Sequence, residues 1–191
     1  MRRVIKIGGS LLLRDRLSDS IQAWAVRQPP AQTIGIVGGG ELIDAVRRLD
    51  AAFPGPSRWV HWQCVGLLRT TFEWLGPQLD GWQLESTPEE FERLKRCHEC
   101  DSHLVAVDAF YHAATESPLP EDWTTTTDAI AGWLSILVGA DELVLLKSCD
   151  VDASRSLTEL ASQGVVDAAV AMLADQLPPV RFVNLAAEAD R

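Results

Sequence analysis

Lysine is rare in this chain: Lys6, Lys95 and Lys147 are the only three. Two of them sit where lysine is least expected. Lys6 lies inside RVIKI (Arg3–Ile7), a β-branched run that reads as a buried strand. Lys147 directly follows ELVLL (Glu142–Leu146), a second run of that kind. An ammonium in such a place is unfavourable unless an anion pairs with it. Lys6 is followed at once by Ile7 and the turn Gly8-Gly9-Ser10, so its side chain could reach along the strand to a bound phosphate. The alternative is an edge strand whose lysine snorkels to water.

Glycine turns supply the second kind of chemistry. Gly8-Gly9 closes the first strand, and Gly38-Gly39-Gly40 closes TIGIV (Thr33–Val37). A strand that feeds glycines into a helix offers free backbone N–H groups and a positive helix end to an anion. Two such turns can hold two anionic groups; read alone, each also serves as a plain tight turn. Neither fits G-x-x-x-x-G-K-[ST] or G-x-G-x-x-G. The third element is TTTTDAIAGWLSILVGADELVLLKSCDVD, in which Thr127 or Asp128 stands at a helix start and either can cap it. Beyond capping, Asp128 could orient the lysines or a metal ion.

The elements that must position these residues alternate. Strands are expected at Arg3–Ile7, Thr33–Val37, His103–Asp108, Glu142–Leu146 and Val180–Asn184. Helices are expected at about 18–27, 41–53, 57–75, 88–97, 127–138, 157–162 and 166–177. In the 41–53 helix Leu42, Ile43, Val46, Leu49 and Phe53 line one stripe of an amphipathic segment. Buried strands alternating with amphipathic helices predict a three-layer α/β/α sandwich with a mainly parallel central sheet. At 191 residues, with no long linker or internal repeat, one domain over 1–191 is expected.

Composition narrows the function classes. A net charge of −10 argues against a broad grip on nucleic acid or an anionic membrane. No stretch approaches the roughly 18 apolar residues of a membrane span. Arg2-Arg3 and the apolar residues after them resemble a signal peptide, but Lys6 splits the run and no small-residue cleavage site follows. The four cysteines are too few for a disulfide scaffold. A cytoplasmic, reduced protein is expected. RCHECDSH brings Cys97, His98, Cys100 and His103 close in sequence, yet a structural zinc site wants four ligands and usually a second pair, so no metal site is assigned. The seven tryptophans mostly fall at core spacings; Trp59 and Trp62 are candidates for an acceptor pocket.

Taken in order, VIKIGGSLL, IVGGGELID and TTTTDAIAGWLSILVGADELVLLKSCDVD resemble the amino acid kinase family, which includes acetylglutamate, aspartate and uridylate kinases. The likeness spans most of the chain. LPEDWTTTTDAIAGWL, with AVDAFY upstream and VHWQCVGLL after the second glycine turn, is similar to a short branch that phosphorylates an aminomethyl-furanmethanol phosphate in methanofuran synthesis.

The resemblance implies ATP and Mg²⁺ as cofactors, a small anionic acceptor and a homo-oligomer. It also implies an acceptor part at about 1–115 and a nucleotide part at about 116–191. It gives Lys6, Asp128 and Lys147 the catalytic roles. Gly8, Gly9, Ser10, Gly38, Gly39, Gly40 and His61 would bind phosphate or acceptor, and Thr127, Ser148, Asp150 and Asp152 would lie beside the nucleotide. The chain departs from the family in one respect: many members carry a late G-G-M-x-x-K lysine, where this sequence has Gly164-Val165-Val166-Asp167 and no lysine. That departure leaves two alternatives to small-molecule kinase activity, a nucleotide-binding regulatory protein on the same fold and a uridylate kinase-like enzyme.

Overall fold

A computed structural model describes residues 1–188. Six strands form one parallel sheet: β1 (Arg2–Ile7), β2 (Gln32–Val37), β3 (Gln83–Glu85), β4 (Ser102–Val105), β5 (Glu142–Lys147) and β6 (Val180–Asn184). Their order is β3-β4-β2-β1-β5-β6, all neighbours parallel. Every residue of β1 and β2 is buried, which is why both read as continuous apolar runs rather than alternating ones. The helices are α1 (Leu17–Val26), α2 (Glu41–Ala52), α3 (Ser57–Leu75), α4 (Pro88–Arg96), α5 (Thr127–Leu137), α6 (Leu157–Ser162), α7 (Ala168–Met172) and α8 (Leu185–Glu188). Together they make the three-layer α/β/α sandwich expected, around one continuous apolar core. No described helix is long and apolar enough to cross a membrane.

Several elements differ from expectation. The strand placed at His103–Asp108 is shorter, Ser102–Val105, and a 3₁₀ turn at Val107–Ala109 follows it. β3 was not anticipated: it has three residues, two of them exposed, and carries no period to detect. The helix placed at 166–177 contracts to α7. The apolar stripe of α2 meets the core through Ile43, but no residue of α2 is fully buried and Leu49 and Phe53 are 62% and 81% exposed. α2 packs mainly on α3, and Val46, Leu49 and Phe53 line a groove with Trp59 and Trp62. Amphipathicity reports that a face is apolar, not what covers it. Two tryptophans, Trp59 and Trp74, are likewise on the surface.

The register of the central strands places the chemistry. Lys6 on β1 pairs in register with Ile36 on β2 and Leu145 on β5, so β1 is interior and the edge-strand alternative for Lys6 falls away. Gly8 donates its N–H to Leu146 at 2.9 Å, and Gly38 donates to Ile7 at 2.9 Å. The two glycine turns therefore emerge side by side and touch. A Cβ on Gly9 would lie 2.1 Å from the Gly40 nitrogen, and one on Gly40 would lie 2.4 Å from the Gly9 carbonyl oxygen. Gly40 also has φ +53°, a conformation side chains resist. Since backbone meets backbone here, Gly9→Ala should lower stability by about 1–3 kcal/mol, read as a drop in denaturation midpoint without a change in slope.

Candidate active site

Parallel pairing of β1 with β5 sets Lys6 and Lys147 at the same end of the sheet. α5 crosses above them, resting on β1, β2 and β5 through buried residues that include Ile130 and Leu134. Its first turn delivers Asp128 between the two ammonium groups. Lys6 Nζ lies 3.0 Å from Asp128 Oδ1, and Lys147 Nζ lies 2.5 Å from Oδ2. The three side chains are only 9%, 13% and 5% exposed. Burial pushes the Asp128 carboxyl up, but the charges of Lys6 and Lys147 outweigh it and leave the group below the usual carboxylate range. Lys147 also donates to the Val165 carbonyl at 2.9 Å.

Neither Thr127 nor Asp128 provides the cap of α5. Asp167, immediately before α7, provides it by accepting from the Thr126 N–H at 3.0 Å and the Ala129 N–H at 2.9 Å, and from the Thr126 hydroxyl. Burial first, and then the negative charge of Asp128, hold the Asp167 carboxyl above its ordinary range. This residue was missed because its partners lie about forty positions earlier in the chain, where no local pattern marks them.

Above the lysines opens a cavity of about 220 Å³. It is lined by Lys6 and Lys147, by Gly8, Gly9, Ser10, Gly39 and Gly40 of the two turns, and by Thr125, Thr126 and Thr127. Ile43, Asp44 and Arg47 of α2 and His61, Cys64, Val65 and Leu68 of α3 line it as well. Gly38 sits just behind, its Cα facing Gly9 and the Thr127 hydroxyl. The crowding that forbids a Cβ at Gly9 and Gly40 leaves backbone facing the cavity, and two ammonium groups lie beneath it. Such a cradle suits the oxygens of a phosphoryl group.

His61 is buried, and both ring nitrogens are engaged within the protein. Nδ1 lies 3.3 Å from the Asp122 carbonyl and Nε2 lies 3.0 Å from the Tyr111 hydroxyl. A carbonyl only accepts, so Nδ1 carries the proton and Nε2 accepts from Tyr111. Burial lowers the His61 pKa, against the opposing pull of the Asp122 carbonyl and the Glu121 and Asp122 charges. His61 thereby holds the 121–125 segment against α3. Other ties reinforce this. Glu121 accepts from Arg58 and from Trp62 Nε1, the latter at 2.6 Å, while Trp123 Nε1 donates to Asp50 at 2.7 Å. Arg47 stacks 4.9 Å from the centre of the Trp123 ring. LPEDW stood out in the sequence, but these partners did not.

The remaining predicted residues lie elsewhere. Ser148 is 2.8 Å from the Ser10 hydroxyl, beside the glycine turn. Asp150 and Asp152 are exposed beyond β5 and do not line the cavity; Asp150 accepts from Asn184 Nδ2, and Asp152 accepts from Ser154 and Arg155. Trp59 and Trp62 line the α2–α3 groove instead of the cavity. In the RCHECDSH stretch His98 faces Arg2 and His103 faces Glu85, so the four side chains do not converge. Among the described residues no group of three or more His, Cys, Asp and Glu could hold a metal.

No family model matches the chain. No curated protein matches its sequence. Solved structures do match. A uridylate kinase from Archaeoglobus fulgidus superposes with a TM-score of 0.65 at 17% identity, covering 96% of this chain and 90% of that one. A UMP kinase from Ureaplasma parvum gives 0.64 at 15% identity, covering 96% and 89%. A UMP kinase from Bacillus anthracis gives 0.65 at 12% identity, covering 96% and 87%. The chain therefore shares its three-layer fold with these uridylate and UMP kinases over nearly its whole length.

The His61 arrangement has a pH signature. A histidine whose pKa is lowered on folding binds protons more readily in the unfolded chain. Its stabilising effect is complete above the ordinary value of 6.5 and is lost as pH falls below it. Wild-type melting temperature should thus fall between about pH 7 and about pH 5 more steeply than that of His61→Gln. Parallel slopes would show that His61 does not titrate differently in the two states.

Proposed function

We propose that the protein is an ATP-dependent phosphotransferase of the amino acid kinase family acting on a small anionic acceptor. One observation carries the reading: two buried lysines pinned by one aspartate at the floor of a cradle made from two touching glycine turns. Phosphoryl transfer depends mainly on alignment and neutralisation of charge, without a covalent nucleophile. Lys6 and Lys147 would contact the transferring group, and the backbone N–H groups of the two turns would hold phosphate oxygens on either side of it. Asp128 acts through the lysines, fixing where their charges stand. Mg²⁺, when bound with ATP, adds charge neutralisation across the phosphates. The acceptor part at about 1–115 and the nucleotide part at about 116–191 would then meet at this floor, within a single cytoplasmic domain.

Among acceptors the reading favours a phosphorylated aminomethylfuran, converted to its diphosphate. It is supported by the LPEDWTTTTD stretch, whose Trp123 and Thr125–Thr127 wall the cavity. UMP is the second acceptor to test, given what the similar structures are named for. A nucleotide-binding protein without catalysis is the other reading. It is favoured by the 164–167 segment, which brings a carbonyl and a carboxylate to the centre but no third cation. A homo-oligomer is also proposed: a second copy would cover the exposed apolar strip of Leu49, Phe53 and Trp59.

Incubation with Mg-ATP and aminomethyl-furanmethanol phosphate should yield the diphosphate by mass, and Lys6→Ala or Lys147→Ala should lower kcat by about 100-fold or more. ATP binding without turnover of the furan phosphate, UMP or other phosphate and carboxylate acceptors would instead support the regulatory reading. Light scattering should give a mass above one chain for the wild type and a lower mass for Phe53→Glu.

A further inference from the structure

The segment after α6 carries a side chain that the cavity does not use. Asp167 is absent from the cavity wall, yet its carboxylate accepts from the N–H groups of Thr126 and Ala129, which flank Asp128. The first N–H groups of any helix lack partners within it. An aspartate in the first turn is itself drawn to those groups, because its short side chain can bond back to them. Asp128 would face that competition. With Asp167 occupying the helix end from outside, the Asp128 carboxylate is left to the two lysines. Two residues earlier, the Val165 carbonyl accepts from Lys147 Nζ at 2.9 Å. One short stretch thus bears on both α5 and Lys147.

We propose that Asp167 is a positioning residue of the phosphoryl-transfer centre: by capping α5 from a separate segment, it fixes the Asp128 carboxylate between Lys6 and Lys147. What it supplies is acceptor geometry rather than charge. Burial and the nearby Asp128 charge make a second carboxylate unfavourable here. An asparagine could accept both N–H groups through its carbonyl oxygen and donate to the Thr126 hydroxyl. The role in catalysis rests on the kinase reading above; the role in placing Asp128 does not.

The test compares Asp167→Ala with Asp167→Asn in the full chain, because both remove the charge and only asparagine keeps the acceptor. With an acceptor that the wild type turns over, Asp167→Ala should lower kcat about 100-fold with KM for ATP held within about threefold, and Asp167→Asn should keep kcat within about threefold. Carbon-detected NMR titration of the Asp128 carboxyl needs no turnover. Asp128 should titrate at a higher pH in Asp167→Ala than in Asp167→Asn, since a displaced carboxylate loses its lysine partners. Unchanged kcat in Asp167→Ala, equal losses in both variants, or identical Asp128 titrations would overturn the proposal. If Asp167→Ala does not fold, Asp167→Ser, whose hydroxyl oxygen stands one bond nearer the backbone and falls short of the Asp167 oxygen position, should lose kcat about tenfold and no loss would overturn it. A wild type that turns over no acceptor defeats the kinase reading, while the Asp128 titrations still decide the positioning role.

Discussion

A carboxylate shared by two buried ammonium groups is the constraint around which this molecule is arranged. Three charges leave water together at the Lys6–Asp128–Lys147 site, and none could do so alone. Removing one partner of such a set typically costs about 3–5 kcal/mol, because a buried charge is left uncompensated. The sheet order satisfies the constraint by making β1 and β5 neighbours, and α5 satisfies it by lying across both. The set keeps one net positive charge facing the cavity. An anion bound there completes a neutralisation that the protein has only partly made.

The walls follow from close approach of backbone to backbone. Gly9 and Gly40 are near enough that neither tolerates a side chain, so both strand ends present peptide groups rather than side chains to the cavity. The wall made by the 121–125 segment is stitched rather than packed. His61, Glu121 and Trp123 tie the 121–125 segment to α2 and α3 by polar bonds. The floor is thus held by charge, one wall by sterics and the other by hydrogen bonds.

What could be read in advance was what leaves a local mark. A lysine in an apolar strand is an anomaly visible within five residues, and so is a glycine pair at a strand end. Lys6, Lys147, both glycine turns and Asp128 were legible for that reason, and α3, α6 and β6 were placed to the residue. Features that depend on distant partners left no such mark. Asp167 looks like an ordinary surface acid until α5 is set against it. β3 exists only because β4 offers it an edge. The exposure of Leu49, Phe53 and Trp59 was not legible because apolar spacing says nothing of where the neighbouring layer ends.

The central place of β1 bears on how the chain is born. Lys6 is synthesised well before its strand partner β5 and its counter-ion Asp128. Until then the strand cannot be buried without stranding a charge. The pairing is also among the longest loop closures the chain must make, which slows folding. The nascent chain should therefore stay open at this edge until then, and the glycine cradle and the final collapse of the sheet should form in the same late step.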